Sequence, residues 1–203
     1  MKAHQCSSRR GRAVAGALTV LAALPLAACS GTSGGPTASS PPASTAAEPA
    51  APSSAAAITV RSPAFAAGTM IPVRFSCRGS NTPIPLAWAG VPAGAASVAL
   101  IMDDPDAPSG TFTHWVVFNL PTTSRGITGG RLPAGAAQAQ NGRGQAAYTG
   151  PCPPSGTHHY RFTVYAEPRR LPLQAGASLP QALAAIRANP LTSGRLTGLF
   201  ASG

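Results

Sequence analysis

The chain has 203 residues and a formal charge of +10, from fifteen Lys and Arg against five acids, and only 10% of its residues are charged. That length suits one ordinary domain with an appendage rather than a multidomain array. The basic residues form no long run and no recognition-helix pattern, which argues against a nucleic-acid-binding protein.

In chain order, Lys2, Arg9, Arg10 and Arg12 precede an uncharged, mostly apolar run over 13–28 that carries Leu18, Val20, Leu21, Leu24 and Leu26. Its length suits the apolar core of a signal peptide better than a stable membrane span. The run closes on Leu26-Ala27-Ala28-Cys29, which resembles a bacterial lipobox. The resemblance implies a lipoprotein: cleavage after residue 28, lipid on the Cys29 sulfur, and anchoring on the extracytoplasmic face of the cell membrane. A secretory signal cut elsewhere, with Cys29 a plain thiol, is the alternative. Arg9-Arg10 leaves general secretory and twin-arginine export both open. Residues 29–57 are rich in Ser, Pro, Ala, Thr and Gly, with Glu48 the one charge, and read as a disordered tether. A flexible coil of that length reaches on the order of 30 Å.

Residues 58–203 are predicted to fold as a single domain. They hold eleven Arg, no Lys and four acids, a formal +7, which favours anionic ligands or surfaces. Of the four cysteines, Cys6 leaves with the leader and Cys29 is assigned to lipid. Cys77 and Cys152 are then predicted to form a disulfide in an oxidising compartment. Two buried free thiols are the alternative, and two cysteines fall short of a tetrahedral metal set.

Short β-branched and aromatic runs at 58–60, 70–75, 97–102, 114–120 and 160–166, each bounded by Gly or Pro, predict a mainly antiparallel β architecture. Residues 179–188 predict one helix. Leu179, Leu183 and Ile186 share a face, Pro180 fits the first turn and Asn189-Pro190 ends it. The helix is expected to pack on the sheet, giving a mainly β, α+β fold.

Acids and histidines are scarce in this domain and concentrate in two segments. One is Asp103-Asp104-Pro105-Asp106-Ala107-Pro108-Ser109-Gly110, just ahead of His114-Trp115. The other is Gly150-Pro151-Cys152-Pro153-Pro154-Ser155-Gly156-Thr157-His158-His159-Tyr160. In a strand starting there, alternation puts His158 and Tyr160 on one face and His159 on the other. Taken alone, the acidic segment also reads as a structural Asp-Pro turn, and Tyr160 and Trp88 as core residues.

Asp104-Pro105-Asp106-Ala107-Pro108, then His114 with Val116-Val117-Phe118-Asn119, then the Gly-Pro-x-Pro-Pro-x-Gly-x-His-x-Tyr segment resemble two signature segments of the phosphatidylethanolamine-binding proteins. The bacterial Raf-kinase-inhibitor-like branch is the nearer likeness. Phe75-Ser76-Cys77-Arg78-Gly79, Pro85-Leu86-Ala87-Trp88 and residues 141–150 extend it more weakly. The resemblance implies a β-sandwich with peripheral helices and a small cavity for a phosphate-like anion or phospholipid head group, without a cofactor or bound metal. Carried over by position, Asp104, Asp106, His114, His158 and Tyr160 would line it, with Pro108 and Trp88 nearby. Imidazole and phenol protons would meet the anion, and a carboxylate beside a histidine would raise its pKa. His159 stands where the family commonly has arginine, and Thr82-Pro83-Ile84 replaces the usual approach to Pro85-Leu86.

Two other functions fit less of the sequence. One is an extracytoplasmic protein-interaction or protease-inhibitor module. The other is a hydrolase or metal-dependent enzyme at the His/Asp cluster, though no serine elbow or zincin helix accompanies it.

Overall fold

The computed structural model describes residues 57–203. The predicted signal peptide, Cys29 and all but the last residue of the predicted tether lie outside the described residues. Eight strands and one α-helix follow in the order β1 (Thr59–Arg61), β2 (Leu86–Ala89), β3 (Ser97–Asp104), β4 (Phe112–Leu120), β5 (Gly126–Ile127), β6 (Ala137–Gln138), β7 (Thr157–Glu167), α1 (Leu179–Arg187) and β8 (Thr192–Ala201). They form a three-stranded sheet, β1-β2-β5, and a five-stranded sheet, β6-β4-β3-β7-β8. All strand pairings in both sheets are antiparallel.

The large sheet is covered on both faces. Val98, Leu100, Met102, Trp115, Val117, Phe162 and Val164 meet Ile58, Val60, Leu86, Trp88 and Ile127 of the small sheet in one core. On the opposite face Ala99, Ile101, Val116 and Phe118 pack with Ala182 and Ile186 of α1 in a second core. Every residue of β3 is therefore buried, which is why its sequence runs almost continuously apolar instead of alternating. Burying each such Val, Leu, Ile or Phe contributes about 1.5–3 kcal/mol. The helix starts at Ser178, whose backbone amide donates to the Gln181 side chain, and Arg187 in its last turn complements the carbonyl end.

The run 70–75 differs from the sequence expectation. It contributes a single bridge, Met70 to Leu199, and then a 3-10 turn at Val73–Phe75. Pro72, at φ −60°, offers no amide to a ladder and so ends the pairing. The long strand β8 escaped the sequence reading because Gly194 and Gly198 break its apolar pattern. Both glycines are needed sterically. A Cβ on Gly194 would overlap the Ile58 carbonyl, and one on Gly198 would meet Phe65 and Ile71. The structure joins Cys77 to Cys152 with their Cα atoms 5.5 Å apart. Among the described residues no helix is long and apolar enough to cross a membrane.

Candidate functional site

The site forms where β3 ends and β4 and β7 begin. Pairing of β3 with β7 is regular, and Asp103 stands opposite Arg161. Asp103 faces the helix side, where Arg161 binds it through Nε at 2.7 Å and Nη2 at 2.9 Å, with Arg187 of α1 at 3.6 Å. Asp104, one residue on, takes the opposite face, that of Met102 and Tyr160. Pairing of β3 with β4 is interrupted at the same level. Met102 pairs with Trp115 but Asp103 with Thr113, so His114 is an extra residue in a β-bulge. Bulges re-aim side chains, and this one sets the His114 ring edge-on to Tyr160 at 5.2 Å and to Phe112 at 4.8 Å.

A cavity of about 160 Å³ opens there, lined by Asp104, Ala107, Pro108, Phe112, His114, Arg143, Gly150, Cys152, Pro153, Pro154 and His158. His158 Nδ1 lies 2.7 Å from Asp104 Oδ2, and Asp104 Oδ1 accepts from the Asp106 amide at 2.9 Å. Since a carboxylate only accepts, His158 carries its proton on Nδ1 there, and Nε2 makes no hydrogen bond with another described residue. His114 is fixed the same way, by donation from Nδ1 to the Thr149 carbonyl at 2.8 Å. Burial pushes its pKa down, against a smaller upward pull from that carbonyl and from Asp104. The expectation that a nearby carboxylate keeps this imidazole charged near neutrality is therefore corrected for His114: desolvation outweighs the charge.

Tyr160 is fully buried and its hydroxyl has no hydrogen-bond partner of good geometry among the described residues. The Asp104 carboxylate and the Cys152 carbonyl nevertheless lie close enough to act on it, and burial, followed by the Asp104 charge, pushes its pKa up. Tyr160 is not among the residues that line the cavity; its ring stands edge-on to that of the lining His114.

The wall carrying Thr149 is held by Asn141, itself 1% exposed. Its Nδ2 donates to the Ala147 carbonyl and to Thr149 Oγ1, both at 2.9 Å, while Oδ1 accepts the amides of Arg143 and Gln145. A Cβ on Gly142 would strike the Phe112 ring, so the glycine lets the loop lie tight on that ring and brings Arg143 to the cavity. The guanidinium of Arg143 pairs with no carboxylate among the described residues.

The structure thus brings Asp104, Pro108, His114 and His158 together on the cavity wall and leaves three residues placed with them from the sequence outside the lining: Tyr160, packed against the His114 ring, Asp106 and Trp88. The Asp106 carboxylate turns outward to His159, accepting from its amide at 2.7 Å and meeting Nδ1 at 2.8 Å. The His159 amide holds the Asp106 carboxyl below its usual range. His159 projects away from the cavity, as strand alternation requires. Trp88 lies in β2 of the other sheet, 3% exposed, and borders a separate groove beside Thr59 and Arg61. Sequence reading missed Phe112 and Arg143. Arg143 is the one cation in the segment leading to the second motif, and the flanking Gly142 and Gly144 were the available signal. Among the described residues no three His, Cys, Asp or Glu stand close enough to hold a metal ion.

Comparison with known proteins agrees with this architecture. The family model for phosphatidylethanolamine-binding protein matches residues 61–201. A UPF0098 protein of Methanothermobacter thermautotrophicus is 45% identical over 151 residues, covering 72% of this chain and 100% of its own. The Mycobacterium tuberculosis protein named "Putative lipoprotein LppC" is 47% identical over 145 residues, 70% of this chain and 72% of that one. The crystal structure of Escherichia coli YbcL, described as a member of the mammalian PEBP family, superposes with a TM-score of 0.68 at 32% identity, covering 73% of this chain and 100% of that one. With its sheets, its cavity and these relatives together, the chain belongs to the phosphatidylethanolamine-binding protein family.

Proposed function

We propose that this protein is an exported, lipid-anchored binding protein whose cavity takes a phosphate-like anion or a phosphorylated head group. One observation carries the reading: two imidazoles fixed through Nδ1 and a guanidinium that pairs with no carboxylate among the described residues converge on one small cavity. Arg143 supplies several N–H donors and one permanent positive charge to a tetrahedral oxyanion, and the Nε2 atoms of the two imidazoles are left to meet its remaining oxygens or their proton. The lining holds no serine, threonine, lysine or free thiol, its one cysteine being in the disulfide, which favours binding over covalent catalysis. Anchoring outside the cytoplasm is supported by the leader and lipobox-like residues and by the relative named as a lipoprotein.

The test follows the histidine side-chain NMR signals of the oxidised protein during titration with phosphate and with phosphoethanolamine. Saturable shifts of His114 and His158, absent in His114→Ala and His158→Ala, are expected. Flat titrations in a folded sample would move the function to a protein partner.

A further inference from the structure

The cavity is unusual for an anion site in presenting acceptors as well as donors. Asp104 lies on its wall, 3% exposed, and its two oxygens have one hydrogen bond each from His158 and from the Asp106 amide. A carboxylate offers roughly four lone-pair directions, so acceptor capacity remains. His114 adds to it, since its Nδ1 proton is committed to Thr149 and burial favours the neutral ring, whose Nε2 is then an acceptor. The groups that face the cavity are therefore a carboxylate and a neutral imidazole that accept, against Arg143 that donates, and His158.

An anion that brings only lone pairs would set its oxygens against the Asp104 carboxylate, which is itself buried. One that brings a proton on one oxygen, or an attached ammonium, satisfies Asp104 or His114 while its other oxygens meet Arg143. Resting on the anion-pocket reading above, we propose that the site selects anions carrying a donor proton, such as monoprotonated phosphate and its monoesters, and rejects fully deprotonated oxyanions such as sulfate and sulfonates. Asp104 is the specificity-determining residue. Sites built to pair a ligand proton reject analogues that lack it, because a buried acceptor is left facing another acceptor.

Methylphosphonate and methanesulfonate make the decisive pair, since as monoanions they are nearly the same shape and differ in a P–OH group against a bare S–O. Titrated into the oxidised protein at about pH 6, where phosphate monoesters keep much of their second proton, methylphosphonate is expected to bind at least about tenfold more tightly. Equal affinity, within about threefold, would overturn the selection rule while leaving the pocket standing. If neither compound nor inorganic phosphate binds, the pocket reading falls and this inference with it. In Asp104→Asn the amide supplies a donor, so methanesulfonate should gain affinity and the discrimination should collapse; persistence of the wild-type ratio would remove Asp104 from its role. Should that variant fail to fold, the wild-type pair of probes decides alone. Glycerophosphoethanolamine separates the two sources of the ligand. Its diester has no acid proton but its ammonium can donate, so binding as tight as phosphate indicates a lipid head group, and much weaker binding indicates a free monoester.

Discussion

Asp104 and His158, 54 residues apart in sequence, are joined through Oδ2 and Nδ1 at 2.7 Å with both side chains under one-tenth exposed. The contact ties the end of β3 to the start of β7 and fixes which imidazole nitrogen is left over. Removing the carboxylate strands a buried donor, so Asp104→Ala should destabilise the fold by about 1–3 kcal/mol. Urea unfolding of the two proteins checks this. A change under about 0.5 kcal/mol would mean that water replaces the carboxylate without loss.

Tyr160 should behave in the opposite sense. Its hydroxyl is buried without a good partner, so Tyr160→Phe removes a polar group that folding leaves unsatisfied. Stability is expected to stay level or rise by about 1 kcal/mol. Thermal melts of the two proteins read it. A stability loss above about 2 kcal/mol would show that the hydroxyl is satisfied in the unliganded protein.

Glu167 gives the molecule a dependence on pH remote from the cavity. It closes β7, is 2% exposed, and its Oε1 has no hydrogen-bond partner among the described residues. Burial pushes its pKa up from 4.5 to about 7, partly opposed by the Arg169 charge. Since the folded state holds this proton more tightly than the unfolded chain, Glu167 makes the fold less stable as pH rises from 4.5 through about 7, with the full penalty above that range. That penalty is roughly 3 kcal/mol at most, because each tenfold gain in proton affinity on folding corresponds to about 1.4 kcal/mol. Glu167→Gln should therefore be more stable than the wild type at about pH 8 and lose the advantage at about pH 4.5. Parallel pH profiles for the two proteins would refute it.

The disulfide links stability to the site. The Cys77–Cys152 crosslink closes a sequence separation of 75, for which loop entropy assigns about 4 kcal/mol. Cys152 also lines the cavity, and the Cys77 amide donates to the Pro151 carbonyl beside it. Replacing both cysteines with serine should lower the unfolding midpoint and weaken phosphate binding together. A variant that melts early but binds normally would confine the crosslink to a structural role.

The sequence revealed most where one residue's chemistry dictates its placement. The strand expected at 160–166 begins at Thr157, and the structure keeps the expected alternation of His158, His159 and Tyr160. The helix followed from its apolar spacing, Pro180 in the first turn and the Asn189-Pro190 stop. What stayed hidden depended on backbone geometry between strands. Period-two alternation would turn His114 away from the face shared by Trp115 and Val117, and only the bulge opposite Met102–Asp103 brings it to Tyr160. Asp106 looked equivalent to Asp104, yet the reversal of the chain between them sends one carboxylate inward and the other to the amide of His159. Trp88 was grouped with the cavity by its motif, but β2 belongs to the opposite sheet.

The pairing of Thr157 with Ala201 lays the end of β8 against the strand that carries His158, and the Ser202 amide donates to the Gly156 carbonyl, two residues after the lining Pro154. A chromophore attached at Ser202 would therefore report on the Gly156 turn that joins the lining Pro153 and Pro154 to the strand of His158. A purification handle fused after Gly203 would leave the domain beside Arg78, whose guanidinium holds the Ala201 carbonyl.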